Sequence, residues 1–320
     1  MAKAVSAPVP VESAKPKVDK KNMQTRIITA LVFAIFFLGL LYIGSGPTVL
    51  FGRDLGDGMV WGQWAFLALM GLAVVAVVRE MTLIGQKMGY HPSLESGVMV
   101  GLGLLAHFFL WKQYAADNPL PLWLVLAGAG IIIHFGALFF DSDHLDTALP
   151  SQAITWMAAL YLGLGLGFQQ KLFMLQGDVP KTGARLILSL YIIVWFGDTA
   201  AYFIGSFFGE RKLAPKVSPK KTWEGAFGNT AGNVLGAFLM KATVCPGWTA
   251  LDAVLLGLSM GIVGQLGDLA ESTWKRSAGV KDSNVGVSIP GHGGILDRID
   301  SLVFAAPVLY AYVHFVHGLN

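Results

Sequence analysis

Apolar runs of about twenty residues, the length that crosses roughly 30 Å of hydrocarbon as a helix, alternate along this chain with short polar stretches. The runs fall near residues 27–43, 61–83, 97–111, 122–140, 153–168, 186–208, 225–244, 250–269 and 302–316. They predict an all-α, polytopic integral membrane protein with about nine transmembrane helices. Residues 1–24 carry Lys15, Lys17, Lys20 and Lys21 among Ala, Pro and Val without a helical period, and read as a disordered basic tail. The run that follows is long for the apolar region of a signal peptide and no small-x-small site comes after it, so a retained first span is expected.

Lysine and arginine in the loops give the orientation. The tail, the loop 210–221 and the segment 275–281 are basic, and nine spans with a cytoplasmic N-terminus put all three on the cytoplasmic side and the C-terminus outside. The loop 169–185 runs against this, because Lys171, Lys181 and Arg185 would then face outward. Near residue 181 the placement of charge changes. Before it, ionisable residues such as Glu80 and the acidic turn Asp141, Asp143 and Asp146 sit in loops or at span edges; after it, they enter or border the spans. The expected division is therefore an N-terminal transmembrane scaffold half, 25–180, and a C-terminal catalytic transmembrane half, 181–320.

Composition agrees with the pattern: 54% of residues are hydrophobic and 13% charged, against about 25% charged in soluble domains. The net charge of +3 is small and unevenly placed, which bears on orientation in a membrane and argues against nucleic acid as a partner. The single cysteine, Cys245, cannot form an intrachain disulfide.

Candidate chemistry concentrates in residues 267–301. Asp268, Glu271, Ser272 and Lys275 lie at i, i+3, i+4 and i+7 and share one face of a helix continuing out of the preceding run. Asp297 and Asp300 repeat the spacing three residues apart, and between the two sets Pro290, Gly291, Gly293 and Gly294 flank His292 in a segment suited to close approach of a phosphate. Three carboxylates at Asp268, Asp297 and Asp300 would repel one another without a cation, and an all-oxygen set favours Mg²⁺; pairing with Lys275, Arg276 and Arg298 is the competing explanation. Asp198 falls inside the run 186–208, where a carboxylate has to face a cavity or a cation rather than lipid. Ser218-Pro-Lys220-Lys221-Thr222-Trp223-Glu224-Gly225 opens the next run, with lysines suited to phosphate and Ser218 or Thr222 as a helix cap. His292 has no Cys or His partner at zinc spacing and is either a donor to phosphate or a loop residue bonding backbone. The rows Gly228, Gly232, Gly236 and Gly257, Gly261, Gly264 predict close helix packing.

Ser272-Thr-Trp-Lys275-Arg276, then Lys281-Asp282-Ser283, then Pro290-Gly-His292-Gly-Gly-Ile-Leu-Asp297-Arg298-Ile-Asp300 resembles the signature of phosphatidate cytidylyltransferases, with a longer spacer at residues 284–288 than is usual in that family. The resemblance implies synthesis of CDP-diacylglycerol from CTP and phosphatidic acid with release of pyrophosphate, for phospholipid biosynthesis. It implies catalytic roles for Asp268, Asp297, Lys275, Arg298 and His292. Substrate binding would fall to Ser218, Lys220, Lys221, Arg276, Lys281, Asp282, Gly293 and Gly294. Mg²⁺ would be held by Asp198, Asp268, Asp297 and Asp300, a second cation being left open. The partners expected are CTP, phosphatidic acid and the bilayer, with a homodimer left open, at the inner or plasma membrane with the site facing the cytoplasm. A polyprenol-type lipid kinase is the alternative enzyme. A cation transporter coupled through Asp198 and Asp268 is the alternative of a different class, and it would need an ionisable path on both sides of the membrane.

Overall fold

The computed structural model describes residues 20–43, 49–50, 53–54, 58–114, 128–132, 135–136, 142–280, 288–289 and 293–319. Among these are eight helices of 20 to 30 residues: α1 (Lys20–Ile43), α2 (Gly58–Lys87), α3 (Leu94–Tyr114), α4 (Ala148–Met174), α5 (Thr182–Phe208), α6 (Trp223–Thr243), α7 (Ala250–Ser277) and α8 (Leu296–Phe315). Each covers one of the expected apolar runs; the run at 122–140 lies largely outside the described residues. Three stretches, Trp61–Lys87, Thr182–Phe208 and Ala250–Ser277, are long and apolar enough to cross a membrane. The strands are short antiparallel pairs: β1 (Val49–Leu50) with β2 (Arg53–Asp54), β3 (Lys212–Ala214) with β4 (Ser218–Thr222), and β5 (Ser288–Ile289) with β6 (Gly293–Gly294).

Helix starts follow local chemistry. Thr222 is extended, and its Oγ1 accepts the Gly225 N–H at 3.2 Å, capping α6. At α7 the cap is reciprocal: Thr249 Oγ1 accepts from the Asp252 N–H at 3.1 Å, and Asp252 Oδ2 accepts from the Thr249 N–H at 2.6 Å. The Ser-Pro-Lys-Lys-Thr motif, expected as a loop, is instead the strand β4. Its Pro219 is tolerated because β4 pairs on one side only.

The helices share one hydrophobic cluster, in which Leu162 of α4, Ile187, Leu190 and Ile193 of α5, and Leu256 and Met260 of α7 are fully buried. Small residues set the spacing in the second half. A Cβ at Gly257 would lie 2.4 Å from the Val234 Cα, so α7 and α6 touch backbone to backbone. At Gly267 a Cβ would meet the Asp300 carbonyl oxygen at 2.5 Å. That second contact brings the acidic face of α7 against the acidic start of α8.

The basic residues that run against the expected orientation have structural partners. Lys171 sits 4.9 Å above the Tyr310 ring and Lys181 3.4 Å above the Tyr42 ring. Lys181 also donates to the Tyr42 carbonyl at 3.0 Å, and partial burial holds its ammonium below the ordinary lysine range. Arg185 Nη1 donates to the Val244 carbonyl at 2.7 Å. All three stitch helix ends together opposite the polar end of the bundle.

The Gly267 contact leads to a discriminating comparison. Gly267→Ala should lower stability by about 1–3 kcal/mol, as overpacking does, whereas Gly264→Ala, whose Cβ would find its nearest neighbour at 3.6 Å, should be close to neutral. Thermal unfolding of both variants in the same detergent checks this; equal melting temperatures would show that the α7–α8 contact yields easily.

Candidate active site

At one end of α5, α6, α7 and α8 lies a cavity of about 540 Å³, within the roughly 300–1,000 Å³ typical of small-ligand sites. Asp198, Asn229, Gln265 and Asp268 line it from the helices, and Lys212, Lys220 and Lys221 from the β3–β4 hairpin. The hairpin is tied down by Glu224, on the first turn of α6 ahead of the apolar run. Its carboxylate accepts the N–H of Glu210 at 3.2 Å and of Arg211 at 3.3 Å. Hydrogen bonds, the first from its own backbone N–H, hold Glu224 below the ordinary glutamate range.

The carboxylates form two levels along the antiparallel α7–α8 pair. On the first, Lys221 Nζ pairs with Asp268 Oδ2 at 2.6 Å, and an ammonium with three N–H donors can serve a further acceptor beside it. Asp198 accepts from Asn229 Nδ2 at 3.2 Å, and Asp300 accepts the Ser301 N–H at 2.7 Å. On the second level, Lys275 Nζ bridges Glu271 Oε2 at 2.7 Å and Asp297 Oδ1 at 2.6 Å. One lysine therefore serves two carboxylates, and Glu271, only 1% exposed, keeps Oε1 without a partner.

Oxygen atoms of Asp268, Glu271 and Asp300 all lie within 4.8 Å of one another. At that distance two unit charges repel by about 3.5 kcal/mol at an effective dielectric near 20. Lys275 on Glu271 and Lys221 on Asp268 offset that repulsion in part, and the set carries only oxygen donors. These residues fit a hard divalent cation such as Mg²⁺.

The structure brings together Asp198, Asp268, Asp300, Lys220 and Lys221, with Lys275 and Asp297 one level along. The charge stripe 268, 271, 272, 275 holds as one face, with Ser272 Oγ donating to Asp268 Oδ1 at 3.4 Å. Arg276 joins the two basic segments: its Nε donates to the Val217 carbonyl at 3.1 Å and its Nη1 to the Val280 carbonyl at 2.9 Å. Ser218 pairs with Ala214 in the hairpin, and Gly293 and Gly294 pair with Ile289 and Ser288. Arg298 lies apart from this cavity and lines a different one. His292, Lys281 and Asp282 lie outside the described residues.

Two acidic residues gain roles that sequence reasoning did not give them. Glu271 was visible on the stripe but was not counted among the cation ligands. Glu80 was taken for a span-edge residue of the scaffold, yet it is fully buried and points from α2 at the start of α8. Its Oε1 accepts the Ile295 N–H at 2.8 Å and its Oε2 the Leu296 N–H at 3.0 Å, satisfying amides that open a helix and favour a negative charge. The sequence signal was available: an acid directly after Arg79, well inside an apolar run, needs a buried reason to be there.

Residues 24–316 match the cytidylyltransferase family. The chain is similar to the phosphatidate cytidylyltransferase of Brucella suis, at 34% identity over 91% of this chain and 93% of the relative. It is also similar to the phosphatidate cytidylyltransferases of Bacillus subtilis, at 30% identity, and Staphylococcus epidermidis, at 32%, each over 90% of this chain and 97% of the relative.

The Glu80 contact can be tested apart from any reaction. Glu80→Ala leaves two helix-opening amides unpaired, which costs about 1–3 kcal/mol. Hydrogen exchange at Ile295 and Leu296 should then accelerate by about ten- to a hundredfold, with Glu80→Gln in between because it keeps one acceptor oxygen. Unchanged exchange in Glu80→Ala would mean that α2 does not hold the start of α8.

Proposed function

This chain belongs to the cytidylyltransferase family, and on that premise we propose that it transfers the cytidylyl group of CTP to phosphatidate, giving CDP-diacylglycerol and pyrophosphate, at the cavity framed by Asp198, Lys221 and Asp268. Family membership, with relatives named for this reaction across nine-tenths of the chain, decides against the lipid kinase and the cation transporter. The structural observation that carries the mechanism is the adjacency of a lysine-lined cavity to a cluster of three carboxylates.

A phosphate monoester is close to dianionic at neutral pH, so the phosphatidate oxygen needs no general base to attack the α-phosphorus of CTP. A new P–O bond forms as the bond to the bridging oxygen breaks, and its electrons leave on pyrophosphate. The remaining demand on the protein is charge neutralisation and alignment. Lys220, Lys221 and Lys212 line the cavity where the triphosphate would lie, and Lys221 has N–H groups to give. Lys275, fixed between Glu271 and Asp297, holds a second positive charge one helical turn away. Asp268, Asp300 and Glu271 would hold Mg²⁺, with Asp198 in support across the cavity; Asp297 orients Lys275. Bound there, the ion would supply Lewis-acid stabilisation of the charge that develops on the transferring phosphoryl group. Arg276 keeps the hairpin and the end of α7 in register, and His292, Lys281, Asp282, Gly293 and Gly294 complete the phosphate-binding segment in this reading.

We place nine spans in the chain, an N-terminus in the cytoplasm and the site on the cytoplasmic face of the cell membrane. The support is the direction of the helices: the β3–β4 hairpin, the end of α7 and the start of α1 all lie at the polar end, while Lys181 and Tyr42 meet at the other. These directions agree with loop charge, which calls for the hairpin and the end of α7 on the cytoplasmic side.

Two outcomes follow. Asp268→Asn and Asp300→Asn should each lower kcat by about 10³ with melting temperature little changed, since removing one charge-stabilising group costs about 10²–10³ or more. A destabilised protein of near-normal specific activity would instead mean that the carboxylates serve ion pairs. In a Cys245→Ser background, cysteines at Ser218 and Asp178 should be labelled from opposite sides of sealed vesicles, Ser218 from the cytoplasmic side. Labelling of both from one side would overturn the topology.

A further inference from the structure

Beside the polar cavity lies a second one of about 470 Å³, enclosed by α1, α2, α4, α5 and α8. Its walls are apolar, among them Phe37, Met70, Leu166 and Trp195, and Arg298 is the one charged residue among the described residues that line it. Protein interiors leave few voids larger than a water molecule, so a cavity of this size bordered by spanning helices calls for an occupant. Its rim shows where that occupant comes from: Phe33, Leu72 and Trp195 are exposed on the outer surface of α1, α2 and α5, so the cavity opens sideways into the hydrocarbon.

The first turn of α8 separates the two cavities. Ile295, Arg298 and Ile299, at i, i+3 and i+4, face the apolar cavity, while Ser301 lines the polar one and Asp297 and Asp300 turn to Lys275 and to the α7 carboxylates. A molecule reaching across this turn needs an apolar chain on one side and an anionic head on the other. We infer that the apolar cavity seats an acyl chain of the phosphatidate substrate, admitted laterally from the bilayer, and that Arg298 receives its phosphate at the mouth and hands it to the polar cavity. This rests on the cytidylyltransferase reading, which supplies the lipid. The arginine guanidinium suits a phosphomonoester through paired N–H donors, and a bulk zwitterionic lipid offers no comparable charge. A chain arriving from the bilayer passes from one apolar surrounding to another, so a seat of this kind selects chains by how well their length and shape fill it.

The test uses the full-length wild-type protein in nanodiscs with a phosphatidate carrying a photoactivatable group near the end of one acyl chain. Adducts should map to residues 29–37 of α1 and 69–73 of α2, and excess unlabelled phosphatidate should suppress them while phosphatidylcholine does not. Arg298→Gln should reduce labelling by about tenfold. In parallel, Ala73→Phe, which fills the cavity, should raise KM for dioleoyl phosphatidate by about tenfold or more and leave KM for dihexanoyl phosphatidate and for CTP near wild type. Adducts suppressed equally by phosphatidylcholine would identify ordinary boundary lipid and overturn the inference. So would adducts on other helices, or a filled variant whose KM rises alike for both lipids. Wild-type turnover of CTP into lipid is measured alongside. Its absence counts against the reaction itself, whereas normal turnover with misplaced adducts overturns only the apolar seat.

Discussion

Mutual repulsion of acidic groups at the meeting of α7 and α8 is the constraint on which the site depends. Asp268, Glu271 and Asp300 bring oxygen atoms within 4.8 Å of one another, an arrangement that charge repulsion alone would push apart. It is held because the backbones meet at Gly267, where no side chain fits between α7 and the Asp300 carbonyl, and because Tyr161 of α4 donates to that same carbonyl at 3.2 Å. A cation placed among these oxygens would relieve the repulsion that the packing sustains.

The two halves of the chain are not independent for the same reason. Glu80 on α2 grips the opening amides of α8, and one hydrophobic cluster runs through helices on both sides of residue 181. A division into scaffold and catalytic halves describes where the reactive groups sit in sequence. Physically, α2 and α4 set the position of the turn that carries Asp297 and Asp300. Cations follow a parallel logic: Lys212, Lys220 and Lys221 at the polar end face a cavity, whereas Lys171, Lys181 and Arg185 at the other end meet ring faces and carbonyls.

Most of the helical architecture was legible because the bilayer leaves few alternatives: apolar runs of spanning length have to satisfy their own backbone. The acidic stripe on α7 was legible for the same reason, since helical period alone aligns Asp268, Glu271 and Lys275. Tertiary choices escaped. The β3–β4 hairpin was hidden because Ser-Pro-Lys-Lys-Thr carries no alternating apolar pattern, and its strand is stabilised from outside by the Glu224 carboxylate. Asp297 was expected to join Asp198, Asp268 and Asp300 around Mg²⁺, and at a three-residue offset from Asp300 along α8 it also meets Lys275, at 2.6 Å. Whether an acid meets a lysine or another acid depends on how two helices slide past one another, which no single-helix period encodes.

That offset also explains how one short turn can serve a reaction between a water-soluble nucleotide and a membrane lipid. Successive side chains at the start of α8 project in different directions, so Asp297 and Asp300 reach polar partners while Ile295, Arg298 and Ile299 border an apolar space. Neither cavity alone could bring the two substrates together: a lysine-lined pocket repels acyl chains, and an apolar one excludes triphosphate. In the arrangement inferred above, a boundary one helix thick would let each remain in its own solvent while the phosphate crosses at Arg298. The tight grip of Glu80 on this turn follows from that division, because a shift of α8 along its axis would misalign both cavities at once.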